Sequence, residues 1–255
     1  MKILTWNILA SEWIKKSYYP TVKEKVLFDR KSRLKRIMER IIDEDPDILL
    51  LQEVMELEYK SLCKHFMNNY HISFLSPINW QKEIKEKEKD NKKKITSESG
   101  NVTLLKKTLF KSKKEIRHET LPMDFGIYTT TLYQSRQLHI FNIHLNDLHG
   151  QTRNKQMNLL RPFIEQQKYC IIAGDFNQEY RPSSKLYTIP DFTVHNLCPT
   201  YYIEKKMNID NILTKGFSND IVENKCIYVP LKVENGFKIF GSDHLPITIL
   251  VKIQT

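Results

Sequence analysis

The hydrophobic pattern of the first 75 residues alternates between strand-like and helix-like segments. Residues 1–9 predict a strand that starts at the first residue. In residues 30–43, apolar side chains recur at the spacing of an amphipathic helix, namely at Leu34, Ile37, Met38, Ile41 and Ile42. Pro46 ends this helix, because proline disfavours helical geometry in the residue before it. The wholly apolar run 48–51 then predicts a strand buried on both faces, followed by a helix at 57–67 and a strand at 70–75.

The remainder of the chain is richer in strands. The pattern predicts strands at 101–105, 108–116, 125–133, 137–145, 169–173, 208–213, 226–229 and 245–253, a helix at 151–167, and a tight hairpin at Gln134, Ser135 and Arg136. Many of these strands are adjacent in sequence, while the helices come early and in the middle. This order favours an α/β fold of two packed sheets flanked by helices over a simple alternating parallel sheet.

One stretch, residues 81–99, departs from both periodicities. It is dense in Lys and Glu and lacks the apolar side chains that would order it. We interpret it as an exposed insert within a single domain spanning residues 1–255. A solvated surface is the favoured use of such a charge run, and contact with a nucleic-acid backbone is the alternative.

The composition of the chain favours one class of binding partner. The 255 residues are 40% hydrophobic, and 40 Lys and Arg against 30 Asp and Glu leave a formal net charge of +10. A positive field of this size favours polyanionic partners such as nucleic acid. The sequence predicts an intracellular protein, cytoplasmic or nuclear, without stable membrane insertion, since no leader-like segment and no bilayer-length apolar run is present. We expect a monomer. Cys63 and Cys170 lie in apolar patterns, and the four cysteines fit reduced thiols better than a disulfide scaffold.

Polar residues interrupt or follow the predicted strands at several points. They are Asn7, Glu53, His144, Asp175, Asn177, Asp210, Asp243 and His244. A carboxylate beside an apolar strand is costly to bury unless it is paired or bound to a cation. Strand ends that bring acids, amides and histidines together form a cleft site on a rigid scaffold.

The chemistry that this set can perform is narrow. Carboxylate and amide oxygens suit Mg²⁺, and phosphodiester hydrolysis needs a metal ion, a residue that orients water, and donors to the phosphoryl oxygens. The sequence contains no GxSxG, GxxxxGK[ST], GxGxxG or HExxH motif. Each piece also has a structural interpretation of its own. Gly174 to Asn177 suits a simple turn, Ser242 to His244 suits a cap, and Glu53 suits an exposed strand end.

Taken together and in order, the segments TWNIL, LLLQEV, NIHL, AGDFN, IDNIL and SDHLPI resemble the endonuclease/exonuclease/phosphatase superfamily. The resemblance runs from Asn7 to His244. It implies a DNase I-like four-layer α/β/β/α sandwich, two mixed sheets packed face to face with helices outside. It also implies hydrolysis of phosphoric esters with Mg²⁺, or alternatively Mn²⁺.

The resemblance further implies a role for each matching residue. Glu53 would be the principal metal ligand, with Asn7 close to the metal and the phosphate and Asp243 at a second or alternative metal position. Asp175 would orient or activate water with the help of Asn177. His144 and His244 would contact the phosphate, with Asp210 orienting His244.

The substrate is left open. Leu9 stands where abasic endonucleases and tyrosyl-DNA phosphodiesterases carry an acid, and the first segment is more similar to the deadenylase branch. A nuclease acting on RNA or DNA is favoured. The alternatives are an enzyme acting on inositol phosphates or phospholipid headgroups, and a catalytically silent binding module of the same fold. Trp80, Tyr201 and Tyr202 are candidates for base stacking, although packing is the favoured use of each.

Overall fold

The structure, a computed structural model, describes residues 1–75, 99–184, 186–196, 198–203, 206–218 and 232–254. The α-helices are α1 (Glu24–Leu27), α2 (Arg30–Glu44), α3 (Glu56–Phe66), α4 (Gly150–Ile164) and α5 (Val233–Ile239). The strands are β1 (Lys2–Asn7), β2 (Ile48–Val54), β3 (Tyr70–Leu75), β4 (Gly100–Lys106), β5 (Arg117–Thr120), β6 (Gly126–Tyr133), β7 (Arg136–His144), β8 (Cys170–Asp175), β9 (Thr193–Val194), β10 (Asp210–Lys215), β11 (Phe217–Ser218), β12 (Ile247–Leu250) and β13 (Lys252–Ile253).

The strands form two main sheets, both of mixed direction. The first has the order β12-β1-β2-β4-β3, and the second has the order β5-β6-β7-β8-β10-β9. Each sheet contains one parallel pair, β1 with β2 and β7 with β8, and every other pair is antiparallel. A short third sheet pairs β11 with β13.

The side chains of alternate strand residues enter different hydrophobic layers. In β2, Ile48 and Leu50 belong to the core between the two sheets, whereas Leu49 and Leu51 pack beneath α2 and α3. On the other side of the molecule, β7 and β8 share a third cluster with α4. This alternation explains the continuous apolar runs, because a strand covered on both faces has no polar side. The predicted sandwich of two mixed sheets flanked by helices is confirmed.

The structure corrects several details. Residues 108–116, predicted as a strand, form a turn and a 3₁₀ helix, and the strand β5 begins only at Arg117. The predicted strand 245–253 is divided between β12 and β13, which belong to different sheets. Ile42 is exposed rather than part of the buried face of α2. Cys63 and Cys170 are free, but Cys198 is disulfide-bonded, contrary to the expectation of reduced thiols.

Some predictions fall outside the described residues. These are the charged insert, apart from Ser99, the strand at 226–229, and Trp80. Within the described part of the chain, no helix has the length and hydrophobicity needed to cross a membrane.

Candidate active site

The strand registers bring the polar strand ends to one end of the sandwich. The parallel pair β1 and β2 aligns Asn7 with Gln52, which places Glu53 one residue beyond. In the second sheet, the parallel pair β7 and β8 aligns His144 with Asp175, and β10 begins at Asp210 opposite Asp175. Residues far apart in the chain therefore meet because these strands end at the same edge.

Three residues at this end have left-handed backbone conformations. Leu9, Glu53 and Asn177 have φ angles of 57°, 57° and 49°, and the register of β2 against β4 shifts between Leu51 and Val54. Non-glycine residues with positive φ are uncommon, and strain of this kind concentrates at functional sites. Here they lie at the strand ends whose side chains meet in the site.

Gly174 permits the close contact between β7 and β8. Its φ is 144°, and a Cβ atom at this position would lie 1.9 Å from the carbonyl oxygen of Ile143. Only glycine can lie so close to the neighbouring backbone. The contact sets Asp175 beside His144, so the glycine of the AGDFN segment has a local structural cause.

Asn7 links the carboxylates of the two sheets. Its Nδ2 donates to Oε1 of Glu53 at 2.8 Å and to Oδ2 of Asp175 at 3.0 Å. Its Oδ1 accepts the backbone N–H of Leu9. The second oxygen of Glu53, Oε2, accepts the N–H of Ala10 at 2.9 Å. Asn7 thus holds two acidic groups at a fixed separation.

Asp175 is the central buried group. Its Oδ1 accepts the N–H of Asn177 at 2.7 Å, while Nε2 of His144 and Nε2 of His244 lie 3.7 Å and 3.8 Å from its Oδ2. Burial and the charge of Asp210 raise the pKa of Asp175 to about 6, although both histidines and Asn7 oppose the increase. The carboxyl group of Asp175 is therefore mostly ionised at neutral pH but binds a proton more readily than an ordinary aspartate.

His244 is oriented by Asp210. Its Nδ1 lies 2.8 Å from Oδ2 of Asp210, which directs Nε2 toward Asp175. Burial alone would lower the pKa of His244, but the carboxylates of Asp210 and Asp243 raise it well above its ordinary value. The other oxygen of Asp210, Oδ1, is buried without a hydrogen-bond partner among the described residues.

Oδ1 of Asp243 lies 4.0 Å from Nε2 of His244, and its Oδ2 accepts a hydrogen bond from the hydroxyl of Tyr19 at 3.0 Å. Burial raises the pKa of Asp243. Asn177 donates from Nδ2 to the carbonyl of Leu145 at 2.9 Å, which fixes its amide beside Asp175. All eight residues singled out in the sequence therefore lie in one region, with Asp243 at its margin.

Several supporting residues escaped sequence reasoning. Nε2 of Gln52 donates to Oδ1 of Asn142 at 2.8 Å and so joins the two sheets directly behind the site. Ser242 donates to the carbonyl of Asn7, and the indole N–H of Trp6 donates to the carbonyl of His244. All four of these residues stand inside the quoted segments TWNIL, LLLQEV, NIHL and SDHLPI. Their position beside the acidic and basic residues was the available signal.

Arg33 is a further residue without a sequence signal, since it resembles any cation on an amphipathic helix. Its guanidinium is buried and donates to the carbonyls of Gly241, Ile8 and Leu9 at 2.6, 3.1 and 2.6 Å. It therefore joins the turn after β1 to the turn that precedes His244.

A fold of two mixed sheets with acids, amides and histidines at one end defines the DNase I-like class of phosphoric ester hydrolases. The chain belongs to the Endonuclease/Exonuclease/phosphatase family, whose model matches residues 4–244. Comparison of the sequence with curated proteins gives no match.

Solved structures of the same fold cover nearly the whole chain. ANGEL2, a 2',3'-cyclic phosphatase in complex with adenosine-2',3'-vanadate, superposes with a TM-score of 0.69 at 15% identity, over 100% of this chain and 96% of that one. D. rerio TDP2 complexed with single-strand DNA product gives 0.66 at 14% identity, over 99% and 98%. The human Nocturnin catalytic domain with bound sulfate gives 0.63 at 18% identity, over 100% and 94%. At these identities the likeness shows the fold alone.

Proposed function

We propose that the protein is a Mg²⁺-dependent phosphodiesterase that hydrolyses nucleic acid by direct attack of water. The observation that carries the proposal is the setting of Asp175, a buried carboxylate in contact with Asn7 and Asn177 and within 4 Å of two imidazoles. A base, phosphate donors and metal-binding oxygens converge there, as phosphodiester hydrolysis requires.

The donor set fits a divalent cation. Glu53 and Asp175 accept hydrogen bonds from one Asn7 amide, and each of their oxygens keeps a further lone pair. The two carboxylates share one amide donor, and a cation bound beside them would offset their negative charges. Oxygen ligands suit Mg²⁺, and Mn²⁺ accepts similar ligands. We assign Glu53 as the principal ligand, with Asn7 positioning both acids and Asp243 available to a second ion.

When bound, the ion would supply Lewis-acid stabilisation of the negative charge that develops on the phosphoryl oxygens. The protein residues supply the remaining chemistry. Asp175 accepts a proton from the attacking water, and a pKa of about 6 suits a general base near neutral pH. Asn177 holds that carboxylate through its backbone N–H and places its own amide beside the water.

The two histidines donate hydrogen bonds to the phosphate. His244, kept protonated by Asp210 and Asp243, donates from Nε2 to a phosphoryl oxygen. His144, at the end of β7, is the second donor, and its Nε2 lies 3.8 Å from Oε1 of Glu53. Fixed donors aimed at developing charge are an effective form of transition-state stabilisation.

Two kinds of observation support nucleic acid as the substrate. The net charge of +10 attracts phosphate polymers. Among proteins of the same fold, one is described with an adenosine-derived vanadate and another with a single-strand DNA product. Neither fact depends on the catalytic residues, so both bear on the substrate independently of the mechanism.

The test is hydrolysis of a substrate panel by purified protein in Mg²⁺ and in EDTA. The panel contains single-stranded RNA, poly(A), single- and double-stranded DNA, a dinucleotide and an inositol phosphate. We expect Mg²⁺-dependent cleavage of a nucleic acid that Asp175→Asn reduces by about 100-fold or more. Asp191→Asn, an exposed acid with its own ion pair to Lys215, is the matched control. Cleavage of the inositol phosphate alone would replace nucleic acid with inositol phosphates as the substrate class. Inactivity on every substrate, without Mg²⁺ binding, would overturn the proposal.

A further inference from the structure

Residues 10–19 contact the site at both ends. The N–H of Ala10 donates to Oε2 of Glu53 at 2.9 Å, and the hydroxyl of Tyr19 donates to Oδ2 of Asp243 at 3.0 Å. The segment between these two bonds therefore follows one margin of the site. We call residues 11–18 the aromatic rim.

The aromatic rim exposes two large rings. Trp13 and Tyr18 are 57% and 55% exposed, whereas the residues that follow them, Ile14 and Tyr19, are buried. Ile14 and Tyr19 belong to a hydrophobic cluster that includes Phe237 of α5. The buried neighbours anchor the backbone and leave the rings outside. Although the Tyr18 ring meets the edge of Tyr19, more than half of the surface of Trp13 and of Tyr18 remains exposed, and exposed aromatic surface beside a site suggests a binding role.

The rim is also positively charged. Residues 11–18 contain two lysines, Lys15 and Lys16, against one acid, Glu12. The ammonium group of Lys15 lies 5.4 Å from the centre of the Tyr18 ring. Lys16 donates to the carbonyls of Pro20 and Val22 and so holds the turn that follows. Aromatic planes beside lysines are the combination that binds single-stranded nucleic acid, because bases stack on the rings while phosphates meet the cations.

We propose that Trp13 and Tyr18, with Lys15, bind nucleobases adjacent to the scissile phosphate of a single-stranded substrate. The inference rests on the proposed function and extends it from the reacting phosphate to the flanking bases. An inositol phosphate has no planar base to stack on these rings. A membrane surface suits the rim less well, because the helices here are one turn long and form no amphipathic face.

The first test compares two substrates of equal length, a single-stranded oligonucleotide and an oligomer of abasic nucleotides. We expect Trp13→Ala to raise the KM for the oligonucleotide by about 10-fold, with a much smaller effect on the abasic oligomer. Trp13→Phe should recover most of the loss, because a ring is restored. Lys15→Ala should weaken the binding of both substrates to the same extent and reduce the salt dependence of KM. An equal loss on both substrates for Trp13→Ala would contradict stacking.

The control is Leu132→Ala, an exposed apolar residue of β6 near the hairpin at the opposite end of the sheet. This variant should match the parent protein on both substrates. Thermal unfolding of each variant separates a loss of folding from a loss of binding, and Tyr18→Ala provides a second variant should Trp13→Ala fold poorly.

A second test measures binding without turnover. In a Glu53→Gln background, an oligonucleotide should quench part of the tryptophan fluorescence, and Trp13→Phe should remove that part. Base-dependent quenching without hydrolysis of any nucleic acid would retain the rim and refute the proposed function. Hydrolysis of a nucleic acid with an unchanged KM in Trp13→Ala would retain the proposed function and refute the rim as a base-binding surface. Binding to anionic phospholipid vesicles but to no oligonucleotide would overturn the rim as a nucleic-acid surface.

Discussion

Nδ1 of His244 lies 2.8 Å from Oδ2 of Asp210, although 34 residues separate them in the chain. The contact joins the first residue of β10 to the turn that precedes β12, across two different sheets. It determines both the orientation of the imidazole and its charge. The consequences can be measured directly.

We expect Asp210→Asn to lower kcat by about 10- to 100-fold, the usual cost of removing a residue that orients an active-site imidazole. Because Asp210 raises the pKa of His244, its loss should let His244 deprotonate at lower pH. The basic limb of the kcat–pH profile should therefore move to lower pH. A lower kcat with an unshifted profile would mean that Asp210 does not control the protonation of His244.

Glu53→Gln should weaken Mg²⁺ binding by about 10-fold or more, because a neutral amide replaces the proposed carboxylate ligand. Isothermal titration with Mg²⁺ is the measurement. Glu56→Gln is the matched control, since Glu56 lies three residues away and pairs with Lys60 at the surface. Equal Mg²⁺ affinity in the two variants would remove Glu53 from the proposed metal site.

Arg33→Leu should lower the free energy of unfolding by about 2–4 kcal/mol, since three buried carbonyl groups would lose their donor. Because two of these groups border the turn of Leu9 and one lies at Gly241, kcat should fall more than KM rises. Lys35→Leu, an exposed cation of the same helix, should change stability by less than about 0.5 kcal/mol. Denaturant unfolding and steady-state kinetics would compare the two variants. Similar effects in both would contradict the role of Arg33 in joining the two turns.

Gly174→Ala should destabilise the protein by several kcal/mol, on the order of the largest single-residue effects. The new Cβ would overlap the carbonyl of Ile143, and the φ of 144° is closed to alanine. Gly150→Ala is the control, because a Cβ there meets only the Arg153 side chain at 3.5 Å. Urea denaturation should leave that variant near the parent protein. A stable Gly174→Ala protein with normal turnover would refute the close contact of β7 and β8.

The folded protein should lose stability as the pH falls, because the imidazole of His195 is buried. Burial lowers its pKa from 6.5 to about 4, so the unfolded chain binds a proton that the folded chain excludes. The contribution of His195 is then complete above pH 6.5 and is lost as the pH falls toward 4. Urea unfolding from pH 7 to pH 4 should show a shallower decline in His195→Gln than in the parent protein. Equal slopes would mean that His195 is not held neutral.

Much of the fold could be predicted because local pattern and final environment agree. The run from Ile48 to Leu51 is apolar at every position, and both faces of β2 are covered. Of the predicted hairpin residues Gln134, Ser135 and Arg136, the first two form the tight turn with positive φ and the third begins β7. The failures have the opposite cause. Residues 108–116 have a strand-like composition, but they connect the two sheets and pair with no strand in the part of the chain that the structure describes.

The eight site residues could be identified because each interrupts or follows an apolar strand, where a polar group is costly without a purpose. The roles assigned to them remain proposals. Residues such as Arg33 and Tyr19 could not be found in this way. Their partners are backbone carbonyls or side chains from distant elements, and no local pattern encodes such contacts.

The sequence by itself determined the layers of the sandwich, the family and the set of polar strand ends. Hydrophobic periodicity and residue chemistry are local properties that can be read along the chain. Only the tertiary structure decided which of those residues touch, which carboxyl group has a raised pKa, and which aromatic rings remain outside. These outcomes depend on strand register and on burial, and both arise only when segments such as β1, β8 and β12 meet across the folded chain.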